Sequence, residues 1–219
     1  MAYLVIEGES FMATTLIKSS EISPVALGTP APDFELPALD GPLVKRDDFE
    51  TAPALLVAFV SNGCEYSRHI ERALGRLAED FSQAVLATVA ICSSDVEAEP
   101  ADNVDGLVDQ ATRGNFLFPY LIDETQEVAK AYGAACTPDF FLYDGNRRLV
   151  YRGEIDGSRP DNDVRPNAAV LKEVVEHLLW EEPISEEQTP SEGSPIKWKP
   201  GNAPSPARKP RRAASTRKA

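Results

Sequence analysis

One segment restricts the possible folds of this chain more than any other. Residues 54–60, Ala-Leu-Leu-Val-Ala-Phe-Val, form an unbroken apolar run of strand length, and the polar turn Ser61-Asn62-Gly63 follows it. Beyond the turn, Ile70, Ala73, Leu74, Leu77 and Phe81 recur at helical spacing. A strand that is apolar at every position is covered on both faces, so it belongs inside a sheet flanked by helices. Cys64 stands where this helix begins. A thiol in the first turn of a helix meets the positive end of the dipole and N–H groups without intrahelical partners. Both favour thiolate, the reactive form of cysteine, so the strand-to-helix junction presents a candidate nucleophile.

The rest of the chain continues the alternation. Val85 to Cys92 reads as a second buried strand, and the acidic stretch Asp95-Val96-Glu97-Ala98-Glu99, with Asp102 and Asp105, reads as a solvated loop without a calcium-binding pattern. The spacing then predicts a helix over 103–113 ending at Gly114, a short strand over 118–122, and a helix over 124–132 with Gly133 just past its end. Pro138 to Tyr143 and Leu149 to Gly153 form a hairpin around Asp144-Gly145-Asn146, and Asn167 to Trp180 is the last amphipathic helix. The order β-α-β-α-β-α-β-β-α defines an α/β protein with a mixed central sheet flanked by helices. Ahead of it, the proline-punctuated stretch from Gly28 turns at Asp40-Gly41-Pro42, and Leu43-Val44 returns as a second short strand.

Composition sets the outer boundaries. Residues 1–27 have no clear period and read as an N-terminal extension, with Met12 an alternative start. Residues 28–182 form the domain. From Glu181 apolar periodicity stops and Pro, Ser and Glu dominate. Residues 183–202 are expected to pack on the domain, because leaving Trp198 exposed beside Ile196 is costly. Residues 203–219 are expected to be a disordered basic tail. Of 22 Lys and Arg, eight lie beyond Ile196, whereas all 35 acidic residues precede it, so residues 1–196 carry a formal charge of −21. An acidic body argues against gripping nucleic acid or an anionic membrane, leaving at most a weak contact through the tail. No apolar run approaches membrane-spanning length, and the N-terminus has no basic leader region. With three cysteines, too few for a disulfide scaffold, the expectation is a cytoplasmic protein with reduced thiols.

Several blocks resemble one family. Gly28-Thr29-Pro30-Ala31-Pro32-Asp33-Phe34 with Asp40-Gly41, the stretch Cys64 to Ile70, the run Pro119 to Phe141 with Thr137-Pro138, and Ile196-Lys197-Trp198-Lys199-Pro200-Gly201-Asn202 together resemble the alkyl hydroperoxide reductase/thiol-specific antioxidant (peroxiredoxin-like) family, of thioredoxin-like fold. The resemblance implies that Cys64 is the redox-active cysteine and Pro138 a cis-proline whose loop faces it, aiming the Thr137 backbone at a peroxide or an extended chain. Relatives often carry Cys-x-x-Cys ending at the position of Cys64, where this chain has Ser61 first. They also tend to carry a cysteine just before the Ile-Lys-Trp segment, where this chain has Ser194. The peroxiredoxin pattern matches at Ser61 but has Val57 in place of proline, and its usual arginine is absent, with Arg152 a distant substitute.

The remaining candidates follow from their residue types. Ser67 completes a Cys-x-x-Ser pattern, and its hydroxyl is placed to donate to a thiolate. Cys136, directly before Thr137-Pro138, is a candidate resolving thiol, although a small packed residue is the plainer reading. Cys92 ends a buried strand and reads as structural. His69 is five residues past Cys64 and so on another side of the helix, and His177 reads as a helix-face residue. No spacing supports a metal site, and no phosphate-cradling loop or cofactor signature is present. The expected function is that of a thiol oxidoreductase in which Cys64 reduces peroxides or exchanges disulfides and is restored by an external thiol, such as a thioredoxin-type protein. The alternative is a non-catalytic module whose cis-proline groove holds an extended peptide.

Overall fold

The computed structural model describes residues 16–19 and 25–204. In chain order its elements are strands β1 (Ile17–Lys18), β2 (Glu35–Pro37), β3 (Leu43–Lys45) and β4 (Ala54–Phe59), helix α1 (Glu65–Val85), β5 (Leu86–Cys92), α2 (Val104–Gly114), β6 (Tyr120–Ile122), α3 (Glu127–Tyr132), β7 (Cys136–Thr137), β8 (Asp139–Tyr143), β9 (Leu149–Gly153), α4 (Ala169–Leu179) and β10 (Glu192–Pro195). Five strands form the central sheet in the order β6-β5-β4-β8-β9. β4 pairs parallel with β5, and β5 with β6, while β8 runs antiparallel to both β4 and β9. The sheet is therefore mixed, with helices on both faces.

Every residue of β4 and β5 is buried, as their continuous apolar runs require. Alternation splits β4 between two cores. Leu56 and Ala58 pack with Ile70, Leu74 and Leu77 of α1 and Leu171 and Val175 of α4. Leu55, Val57 and Phe59 pack with Phe34, with Tyr132 of α3 and with Phe141 of β8. Glycine brings α1 and α2 together: a Cβ on Gly75 would collide with the carbonyl oxygen of Gly114. Arg113 of α2 reaches across to the buried Glu71 carboxylate of α1 at 2.9 Å.

Two elements differ from the sequence reading. Helix α3 begins at Glu127, three residues later than expected, because Gln126 adopts a left-handed conformation with φ 65°. Its amide donates to the Ser93 and Lys197 carbonyls at 2.7 and 2.8 Å. The second difference is a small sheet in the order β1-β10-β7. Part of the N-terminal extension, Ile17–Lys18, lies beside residues 192–193, and β10 pairs in turn with β7. The C-terminal segment lies on the domain, with Ile196 buried and Trp198 packed against the second core. From residue 205 onward the expected disordered tail lies outside the described residues.

Candidate active site

The apolar strand β4 delivers the chain to the sheet edge, where Ser61-Asn62-Gly63 turns it into α1. This turn is held from one side by the segment preceding α2. Asp102, only 2 % exposed, accepts from the Ser61 hydroxyl at 2.7 Å and the Gly63 N–H at 3.0 Å. Asn62 donates to the Ala101 carbonyl at 2.9 Å, and Gln110 donates to the Ser61 carbonyl at 3.3 Å. Gln110 in turn accepts from the Tyr120 hydroxyl at 2.8 Å. Ser67 braces the turn from within α1, its hydroxyl accepting the Ser61 N–H at 3.3 Å. Accepting that N–H leaves the Ser67 hydroxyl its own proton to donate, and no bond between it and the Cys64 sulfur is present among the described residues. Ser61 is committed to Asp102.

Cys64 is the N-cap residue of α1, in extended conformation and 3 % exposed. Its Sγ donates to the Thr137 carbonyl at 2.9 Å and lies 3.4 Å from Ser194 Oγ. The Thr137–Pro138 peptide bond is cis, and β7 carries Thr137 directly opposite Ser194 of β10. The thiol is thus enclosed by three parts of the chain: the start of α1, the Thr137-Pro138 loop and β10. A cavity of about 40 Å³ adjoins it, lined by Ser61, Cys64, Glu99, Thr137, Ser194 and Lys197. Once the proton leaves, the Ser194 hydroxyl can turn from acceptor to donor, and the N-cap position sets the sulfur at the positive end of the α1 dipole.

The other cysteines are placed differently. Cys136 is fully buried and directs its Sγ to the Pro138 and Ser191 carbonyls, at 3.6 and 4.0 Å. Burial pushes its thiol well above the ordinary range, and nearby Asp139 pushes the same way. Burial pushes Cys92 up as well, with Asp102 adding to it. All three thiols are free. Arg152 is committed elsewhere than the thiol: it pairs with buried Asp139 at 2.8 Å, donates to the Gly133 carbonyl and stacks over the Phe141 ring. Asp139 is raised by its burial, against which the Arg152 charge acts. His69 buries its Nε2 without a hydrogen-bond partner among the described residues, and His177 faces Glu182 at 3.6 Å. Among the described residues no cluster of three or more His, Cys, Asp or Glu is placed to hold a metal ion.

Two parts of this site carry no signal in local periodicity, although the family resemblance marks Ser194 of the second. Asp102 sits in an acidic stretch that reads as solvated, and β10 has no apolar alternation. An acidic residue just before a helix N-cap, here Asn103, was the one available hint for Asp102.

Residues 27–152 match the model of the AhpC/TSA family. The chain belongs to this family. The thiol-disulfide oxidoreductase ResA of Geobacillus thermodenitrificans (strain NG80-2) is 28 % identical over 153 residues, covering 70 % of this chain and 82 % of that one. A solved hypothetical protein of Sinorhizobium meliloti 1021 is 45 % identical with a TM-score of 0.78, covering 81 % of this chain and 97 % of the other. An uncharacterised conserved protein of Geobacillus kaustophilus is 39 % identical with a TM-score of 0.80, covering 86 % and 99 %. The thioredoxin domain of a thiol-disulfide oxidoreductase from Bacteroides vulgatus, 18 % identical with a TM-score of 0.53 over 69 % of this chain and 99 % of its own, shares the fold. The thioredoxin-like architecture read from the sequence is therefore the architecture of the protein.

Proposed function

We propose that Cys64 is the nucleophile of this thiol oxidoreductase, acting on the O–O bond of a peroxide or the S–S bond of a disulfide. One observation carries the reading: the Cys64 sulfur sits at the head of α1, within reach of the Ser194 hydroxyl and beside a small polar cavity. In the peroxide reaction the thiolate attacks one oxygen, the O–O bond breaks, and the departing oxygen takes up a proton. Sulfur is oxidised to sulfenic acid as the peroxide is reduced to water or an alcohol. The positive end of the α1 dipole favours the charge that develops.

The chain's own thiols do not favour resolving this species. The Cys136 sulfur is fully buried and turned to the Pro138 and Ser191 carbonyls, with burial pushing the thiol up, and position 194, which touches the Cys64 sulfur, is serine. The sulfenic acid is therefore returned to thiol by an external thiol, through a mixed disulfide that a second thiol breaks. A reducing compartment such as the cytoplasm suits this cycle. The alternative, a binding module with a remnant cysteine, requires a free edge beside Thr137, and that edge is paired with β10.

Turnover separates the two readings. With hydrogen peroxide as oxidant and dithiothreitol as reductant, the wild-type protein consumes peroxide catalytically and Cys64→Ala does not. Equal consumption by both proteins would contradict the assignment; consumption by neither would leave disulfide exchange, and failure of the wild type to react with oxidised glutathione as well would then contradict it.

A further inference from the structure

We propose that β10 is a built-in occupant of the peptide-binding edge beside Cys64, so that small peroxides and small thiols reach the sulfur while protein disulfides are held off. The inference rests on Cys64 being the nucleophile and adds to that reading the size of what it accepts.

An extended polypeptide binds a sheet edge by pairing its backbone with the exposed strand. At this site the edge is β7, and its position nearest the reactive sulfur is Thr137. That position is filled: Ser194 pairs antiparallel with Thr137, and Pro195 with Cys136. A second contact brings β10 close at the same point. A Cβ on Gly193 would overlap the Thr137 carbonyl oxygen, so only glycine lets the strand lie where it does. The Ser194 hydroxyl, 3.4 Å from the Cys64 sulfur, then stands where the sulfur of an incoming disulfide would approach.

β10 is anchored at both ends. Upstream, Glu192 receives Arg159 at 3.4 Å, and Arg159 also holds Glu154 at 2.5 Å. Downstream, the Ile196 N–H donates to the Ala135 carbonyl at 3.1 Å, and Gln126 clasps Lys197 and Lys199 through its side-chain amide. Lifting the strand means breaking these contacts together, which makes the closed state the populated one. What remains open is the cavity of about 40 Å³, room for a few water-sized groups. Hydrogen peroxide fits there, whereas a disulfide on a folded protein would first have to displace β10 from Thr137. The same enclosure selects a low-molecular-weight thiol as the reductant. Its sulfur displaces water from the sulfenic acid, and a second molecule then breaks the mixed disulfide, releasing Cys64 as thiol and the reductant as its disulfide.

Two variants of the full chain test this. In Gly193→Val the new side chain forces β10 away from Thr137. Reduced protein is mixed with hydrogen peroxide or with insulin as a protein disulfide, and modification of Cys64 is followed by mass. The variant is expected to raise the ratio of the insulin rate to the peroxide rate about tenfold or more, because lifting β10 opens the edge while also taking the Ser194 hydroxyl from the sulfur. A ratio no higher in the variant than in wild type would overturn the proposal. Ser194→Cys keeps the test alive if the first variant does not fold. A peroxide pulse is expected to convert Cys64 and the introduced thiol to an internal disulfide, seen as the loss of two hydrogens. A persisting sulfenic acid in that variant would show that position 194 does not lie over the sulfur, which overturns the proposal alone. A wild-type Cys64 inert to peroxide, oxidised glutathione and insulin alike would instead overturn the functional reading beneath it.

Discussion

Asp102 is the buried anchor of the cysteine turn, and Asp102→Ala removes two hydrogen bonds at once, from the Ser61 hydroxyl at 2.7 Å and the Gly63 N–H at 3.0 Å. Each ends on a buried acceptor and so falls at the stronger end of the hydrogen-bond range, about 1.5 kcal/mol or more apiece when the acceptor is charged. The Ser61 hydroxyl and the Gly63 N–H are left in a site closed by Asn62, Ala101 and Gln110. The variant should therefore unfold about 3 kcal/mol more easily, with a further consequence for chemistry. A turn that no longer aims Cys64 at one position should lower its rate of oxidation by peroxide about tenfold, because misplacement of a reacting group by an ångström is expensive. Asp102→Asn separates the two causes. Its amide oxygen can accept the Gly63 N–H, and its NH2 can donate to Ser61 Oγ, so it should lose only about 1 kcal/mol and recover most of the rate. Urea denaturation and a stopped-flow peroxide pulse read these effects separately. An Asp102→Ala protein within about 0.5 kcal/mol of wild type and equally fast would show that Asp102 does not anchor the turn, since that is the range of an ordinary surface substitution.

Two more predictions concern the buried groups around the site. Burial raises the Cys92 and Cys136 thiols well above their ordinary value, so at pH 8 iodoacetamide should label neither in the native protein and both in urea; native labelling of all three cysteines at one rate would contradict this. The sign for stability follows: the fold holds two protons that the unfolded chain releases above about pH 8.5, so stability is full below that value and falls as pH climbs past it. Asp139→Ala leaves the Arg152 guanidinium buried without its carboxylate partner and should cost about 3 kcal/mol or more in chemical denaturation, whereas the Asp139→Leu/Arg152→Met double variant should recover most of it. A double variant as unstable as the single would show that the ion pair is not what sets the cost.

The legible part of the fold is the part written in local periodicity. β4 and β5 are readable because each residue is apolar and each is buried, and α1 is readable because Ile70, Ala73, Leu74 and Leu77 share one buried face. The junction that carries Cys64 follows from those two elements meeting. What escaped the reading depends on contacts between distant segments. Asp102 looks like its solvated neighbours until the cysteine turn, 41 residues away, closes over it. Gln126 breaks the start of α3 because its side chain is needed by Lys197, 71 residues later. β10 is a strand only because β7 and β1 flank it; Glu-Gly-Ser-Pro has neither β propensity nor alternation. Asp139 and Arg152 were within reach: each is the single charge in its strand of the β8–β9 hairpin, and two lone opposite charges on neighbouring buried strands suggest a pair.

The measurement that tests the central assignment most directly is the intact mass of fully reduced protein after one equivalent of hydrogen peroxide, with Cys64→Ala as control. With Cys64 as the peroxide nucleophile, one oxygen is added, located on Cys64 by peptide mapping; it disappears when a small thiol is supplied and never forms in Cys64→Ala. An unmodified Cys64 in a protein whose Cys92 or Cys136 has been oxidised instead would contradict that assignment.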